Sequence, residues 1–270
     1  MHAQSQSFAP PTNYRQWLPA TGPQRTSLRA LNAEGHKNDI TQVEANVYSI
    51  VTTPKVGIGQ RCLLLQHSEA GNVLWDCCAF LDEATIEAVK ALGGVRHIVL
   101  SHPHFLGSCI TWSKVFGDAR IYLQAFDKDW VTRPDERCEE KGSRYLFWTE
   151  DFHFFLEGVM SLRAARLGGH FKSSSVLLLE SSAEDGKAIM FTGDTILPVP
   201  HGRWCSFMYS FPNLLPLPAF VVEEIKDRVE GLPDFDRLYG PFATSSILGN
   251  AKEAVLESAQ RYLDSLAGKY

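Results

Sequence analysis

Six cysteines (Cys62, Cys77, Cys78, Cys109, Cys138 and Cys205) are scattered through 270 residues without a CxxC pair. The neighbours Cys77 and Cys78 cannot easily clamp one ion together, so the set reads as reduced, mostly buried thiols. No uncharged apolar run is long enough to span a bilayer. The opening MHAQSQSFAPPTNYRQWLPA has no charged segment leading into an apolar one. The expected location is therefore the cytoplasm, with no membrane partner. The chain also lacks a Lys/Arg block interleaved with aromatics and carries a net charge of -5, which removes the electrostatic footprint of a nucleic-acid binder. There is no GxSxG elbow and no GxxxxGK[ST] loop, and Gly57-Ile58-Gly59 precedes strand-like residues instead of a helix. Serine-hydrolase, P-loop and dinucleotide-binding readings drop out.

What is present is ordinary globular material: 44% hydrophobic and 21% charged residues, enough to bury a sizeable core without disulfides. The length suits one large α/β domain. Residues 1 to 38 are rich in Pro, Gln, Ser, Thr and Asn without a sustained apolar period, and read as an arm over a folded body spanning 39 to 270. From Ala45 short apolar runs begin, at 46 to 51, 61 to 66 and 72 to 76, the last two separated by a segment containing Gly71-Asn72. Residues 82 to 92 place Ile86, Val89 and Leu92 on one helical stripe, with Asp82 as cap and Gly93-Gly94 as terminator. That helix feeds a strand at 96 to 101. Strand-like runs recur at 159 to 165, 175 to 180 and 187 to 192, and an amphipathic helix at 249 to 267 carries Ala251, Val255, Ala259, Tyr262 and Leu266 on one face. The pattern predicts two sheets packed together with helices outside.

Chemistry concentrates in three places. His102-Pro103-His104 follows the apolar strand, and in an extended segment residues i and i+2 point the same way, so both imidazoles can face one point. Pro103 pushes His102 towards an extended conformation. The plainer alternative is two polar residues at a strand-loop junction. His170 lies behind Gly168-Gly169 and ahead of an apolar strand, and Asp194 follows Gly193 at another strand end. Imidazoles and a carboxylate converging at strand ends suit a metal site, although Thr192-Gly193-Asp194 alone also suits an Asx turn.

Taken together, SHPH (Ser101 to His104), GGH (168 to 170) and FTGDT (191 to 195) resemble the histidine pair, third histidine and bridging aspartate of the metallo-β-lactamase superfamily. VLWDC resembles its second strand, with Asp76 the aspartate. The resemblance runs from about Ala45 to the final helix. It is nearest to a sub-group of MBL-fold metallo-hydrolases that also carry GGHF, SFMYSxPN and a final YG, here Gly168 to Phe171, Ser206 to Asn213 and Tyr239-Gly240. It implies an αββα four-layer sandwich and a metal-dependent enzyme acting on a small molecule.

Departures from the wider superfamily matter equally. Leu106 and Gly107 stand where HxHxDH continues with aspartate and histidine, and Pro241 stands where a further histidine usually follows. The resemblance thus implies a single divalent ion on His102, His104, His170 and Asp194. Zinc is the first choice, since three histidines occur in catalytic zinc sites; iron(II) is the alternative, because two histidines and a carboxylate make its facial triad. The expected activity is hydrolysis of an ester, thioester, lactone or lactam of a partly apolar molecule. The alternatives are a single-iron oxygenase or lyase, and a metal-free binding relative. The aromatic segment after Asp194 supplies candidate substrate contacts in Trp204, Phe207 and Tyr209, and Tyr209 or His201 as proton donors, although such rings are more often core. His2, His36, His67, His97 and His153 fall outside any ligand spacing.

Overall fold

A computed structural model of the chain describes residues 3–4, 25–133, 135, 142–149, 153–156, 159–180 and 188–269. It divides into two compact units, with the boundary between Trp148 and Thr149.

Most of the expected arm, residues 5–24, lies outside the described residues, as do His2, Cys138 and the His153 side chain. At its ends Ala3–Gln4 pairs antiparallel with Arg25–Thr26, and α1 (Leu28–Ala33) starts at Ser27, whose hydroxyl accepts from the Ala30 N–H. Seven strands of the first unit then form one sheet in sequence order: β1 (Lys37–Glu44), β2 (Val47–Thr53), β3 (Cys62–Leu65), β4 (Val73–Trp75), β5 (His97–Val99), β6 (Arg120–Gln124) and β7 (Tyr145–Trp148). Short connections make β1 to β4 antiparallel. From β4 onward the pairing is parallel, because a chain that re-enters a sheet in the same direction needs a crossover. The first two crossovers are helical: α2 (Glu83–Ala91) and α3 (Leu106–Val115).

Alternation sets the core. Ile50, Cys62, Leu64, Leu74, Ile98 and Ile121 share one sheet face and pack against Val89 of α2 and Ile110 and Trp112 of α3. As expected, Asp82 caps α2, its carboxylate accepting from the Thr85 N–H at 2.9 Å, and the chain turns at Gly93 and Gly94 with φ of 101° and 75°. Strands β3 to β6 are buried on both faces apart from the exposed Arg120, as parallel central strands are.

The second unit holds a six-stranded sheet among its described residues: β8 (His153–Phe155), β9 (Leu162–Arg166), β10 (Ser175–Leu179), β11 (Ala188–Thr192), β12 (Phe235–Tyr239) and β13 (Ser246–Ile247). All pairs are antiparallel except β11 with β12, which α4 (Ala219–Glu230) connects. Ala165, Val176, Leu178 and Met190 pack against Val222, Ile225 and Val229 of α4 and Val255 and Ala259 of α5 (Ala251–Leu266). The predicted stripe on α5 is buried at its start and runs into solvent at its end, where Leu266 is 53% exposed.

The five described cysteines are free, four of them buried, and burial raises the thiols of Cys109 and Cys205 to about 12. Cys62 and Cys78 lie with their sulfurs 3.1 Å apart. Among the described residues no helix is long and apolar enough to cross a membrane.

Asp82→Ala removes the α2 cap and should lower the unfolding free energy by about 1 kcal/mol in urea titrations; an unchanged midpoint would mean that the cap bond contributes nothing.

Candidate metal centre

In the first unit the chemistry grows from the ends of β4 and β5. Asp76, just past β4, adopts φ of 62°, a left-handed conformation that aspartate tolerates better than most residues. Its N–H donates to Val99 O at 2.9 Å. Its buried carboxylate accepts two bonds from Ser101, the backbone N–H at 2.8 Å and the hydroxyl at 2.9 Å. The two strand ends are thereby fastened together. The Ser101 oxygen also lies 2.8 Å from His102 Nδ1. Because that hydroxyl already donates to Asp76, it accepts from Nδ1–H, which leaves a lone pair on His102 Nε2.

Extended backbone was expected through both histidines. His102 is extended, with φ of -169°, but Pro103 opens a 3-10 turn, Pro103–Phe105, that carries His104. Proline suits that position, since its fixed φ fits a first helical residue and its missing N–H costs nothing there. The turn still brings the rings together: His102 Nε2 and His104 Nδ1 are 3.1 Å apart. Two nitrogens bound at about 2.0–2.1 Å to a tetrahedral zinc stand roughly 3.3 Å apart, so the pair fits one ion.

In the second unit His170 precedes β10 and Asp194 follows β11, both buried. His170 Nδ1 is 3.1 Å from Met208 O. A carbonyl only accepts, so Nδ1 carries the proton and Nε2 presents its lone pair, 3.6 Å from Asp194 Oδ2. Two contacts hold this arrangement. Thr195 Oγ1 donates to Gly168 O at 2.5 Å. Gly169, with φ of 91°, lies so close to that hydroxyl that an added Cβ would come within 2.4 Å of it and 2.8 Å of Ile225. The second glycine of Gly168-Gly169 is therefore required by space as well as by backbone conformation.

The donors able to hold a metal are thus His102 and His104 in the first unit and His170 and Asp194 in the second. Leu106 is buried in the first core as the first residue of α3, Gly107 has no side chain, and Pro241 is buried. None supplies a ligand atom. Tyr209 is 38% exposed on a hairpin in which Met208–Ser210 pairs with Leu215–Pro216. His201 sits exposed in the turn between Leu197–Pro198 and Cys205–Ser206. The Trp204 ring lies beneath the Arg261 guanidinium, 3.9 Å away, and Phe207 is fully buried edge-on to Tyr262, so both pack towards α5. The rings against His170 are Phe171 and Phe211, with Phe242 beyond Phe211. Sequence reasoning missed the roles of Ser101, Phe171 and Phe242. The first two adjoin ligand histidines in sequence, which was the available signal; Phe242 gave none. His36 and His67 bond to nearby backbone, and His97 Nε2 lies 2.9 Å from Ala70 O.

No family model matches the chain. It is 41% identical over 253 residues to "Uncharacterized protein YmaE" of Bacillus subtilis (strain 168), covering 93% of this chain and 87% of that protein. Among solved structures, the DIM-1 metallo-β-lactamase superposes with a TM-score of 0.57 at 12% identity, over 84% of this chain and 98% of that one. FIM-1 from Pseudomonas aeruginosa, crystallised in a mono-zinc form, gives 0.54 at 15% identity, over 84% and 96%.

Two substitutions probe this geometry. Gly169→Ala should destabilise the protein by more than about 2 kcal/mol and reduce bound metal, read by denaturation and elemental analysis. Ser101→Ala should stay folded but weaken metal affinity roughly 10- to 100-fold, the usual effect of removing a bond that orients a ligand histidine; unchanged affinity would show that the Asp76–Ser101–His102 chain does not orient the ring.

Proposed function

We propose that this chain, which belongs to the family of Bacillus subtilis YmaE and has the metallo-β-lactamase fold, is a metal-dependent hydrolase whose His102, His104, His170 and Asp194 together hold one zinc ion. One observation carries the reading. Nδ1 of His102 lies 2.8 Å from the Ser101 hydroxyl oxygen and Nδ1 of His170 lies 3.1 Å from Met208 O, which places the ring proton on Nδ1 and a lone pair on Nε2. The donor set supports zinc: imidazole and carboxylate bind it well, and three histidines are a known catalytic set. A single ion is supported by the side chains at 106, 107 and 241, which offer no donor atom.

A bound zinc ion supplies activated water near neutral pH and polarises a carbonyl. The residues do the rest. Neutral imidazoles and one carboxylate would leave a bound dication net positive, a charge suited to an acyl oxygen that becomes negative. Asp194, buried beside His170, would supply the carboxylate ligand. Tyr209 is the first candidate to donate to a departing oxygen, nitrogen or sulfur, with His201 the other. The substrates of this reading are esters, thioesters, lactones or lactams of small, partly apolar molecules. A cytoplasmic location belongs to the same proposal and is supported by the free thiols.

Protein purified without a histidine tag should contain one zinc per chain. His170→Ala and Asp194→Ala should lose both metal and turnover of p-nitrophenyl acetate or a simple lactone. Tyr209→Phe should keep the metal and lower kcat on the order of 10²-fold. Two tightly bound ions, an iron protein that consumes oxygen, or full activity after chelation would each contradict the reading.

A further inference from the structure

The hairpin that follows the second unit's metal donors is unusual in composition and exposure. Residues 206–222 contain no Asp, Glu, Lys, Arg or His. Within this stretch Tyr209, Leu214 and Leu215 are 38%, 78% and 39% exposed. Leu214 also adopts φ of 53°, a left-handed conformation that costs a leucine free energy and that asparagine or glycine would adopt more easily. Strain and exposed apolar surface together mark a surface used for binding.

The root of the hairpin identifies what binds there. Met208 O is the acceptor for His170 Nδ1, and the half-buried Phe211 ring lies 6.0 Å from the His170 ring, with Phe242 6.4 Å further on. Phe211 thus links a candidate ligand histidine to the tip, where the Leu214 N–H donates to Phe211 O at 3.2 Å and the exposed leucines follow. At strand rise, two to three residues from Met208 to the tip span about 7–10 Å. That exceeds an acetyl group and suits a medium-length hydrocarbon chain.

We propose that the Met208–Pro216 hairpin and the Phe211–Phe242 rings form a subsite for the aliphatic acyl chain of the substrate, so that the enzyme prefers medium-chain over short-chain acyl compounds. Naming the occupant a substrate rests on the hydrolase reading; the existence of the subsite does not. The uncharged sequence favours a hydrocarbon occupant over a charged one. Continuity with His170 favours the substrate over a second copy of the chain.

The test is isothermal titration of butyrate, hexanoate and octanoate into the full-length protein, with zinc and after chelation. Each buried CH₂ should strengthen binding about two- to four-fold, giving tenfold or more between butyrate and octanoate. Leu214→Ser/Leu215→Ser should flatten that gradient without changing zinc content. Leu248→Ser and Leu266→Ser, which alter equally exposed leucines elsewhere in the second unit, should preserve it. A gradient that persists after chelation supports the subsite even if the protein hydrolyses nothing. A zinc-loaded, active protein with no gradient overturns the subsite while leaving hydrolysis intact. A double variant that keeps the gradient, or one whose main effect is to dissociate a dimer in sedimentation, also overturns it.

Discussion

Each histidine with a defined ligand nitrogen is governed by the hydrogen bond on its other nitrogen. For His102 the partner is the Ser101 hydroxyl, itself fixed by Asp76; for His170 it is the Met208 carbonyl. These bonds choose the tautomer and the ring plane within the fold itself, so the cost of ordering these candidate ligands falls on folding. The surrounding backbone follows from that requirement. Asp76 takes a left-handed conformation to reach Ser101 from a neighbouring strand, and Gly169 gives up a side chain so that Thr195 can reach Gly168.

Burial makes the arrangement demanding. A buried carboxylate without partners is strongly disfavoured, yet Asp76 and Asp194 are each only 2% exposed. Asp76 is satisfied twice by Ser101 and serves as structure. Asp194 Oδ2 lies 3.6 Å from His170 Nε2, beyond the length of a good hydrogen bond. The two carboxylates therefore differ although both follow a strand: one closes a backbone junction and the other lies beside His170 among the candidate metal donors.

Much of this was legible in the sequence. Asp82, the Gly93-Gly94 stop and the runs feeding β2 to β5 and β9 to β11 announce themselves through capping chemistry and apolar texture. The candidate metal donors were legible because each follows or precedes a strand with glycine or proline beside it. Helix α3 was not predicted: six of its ten residues are buried, so it shows no amphipathic stripe. The 3-10 turn at His104 was read as extended backbone because proline restrains the residue before it but can itself start a helix. Trp204 and Phe207 were read as candidate substrate contacts from their closeness to Asp194 in sequence, whereas both rings pack towards α5; which aromatic side faces a ligand depends on the hairpin register, and composition does not encode that register.

The claim on which the account turns is that His102, His104, His170 and Asp194 hold one ion. Anomalous diffraction at the zinc edge from crystals grown with zinc tests it most directly. The account predicts a single peak per chain, about 2.0–2.1 Å from one nitrogen each of His102, His104 and His170 and within bonding distance of Asp194. A peak bound by His102 and His104 alone, or a second strong peak per chain, would contradict it.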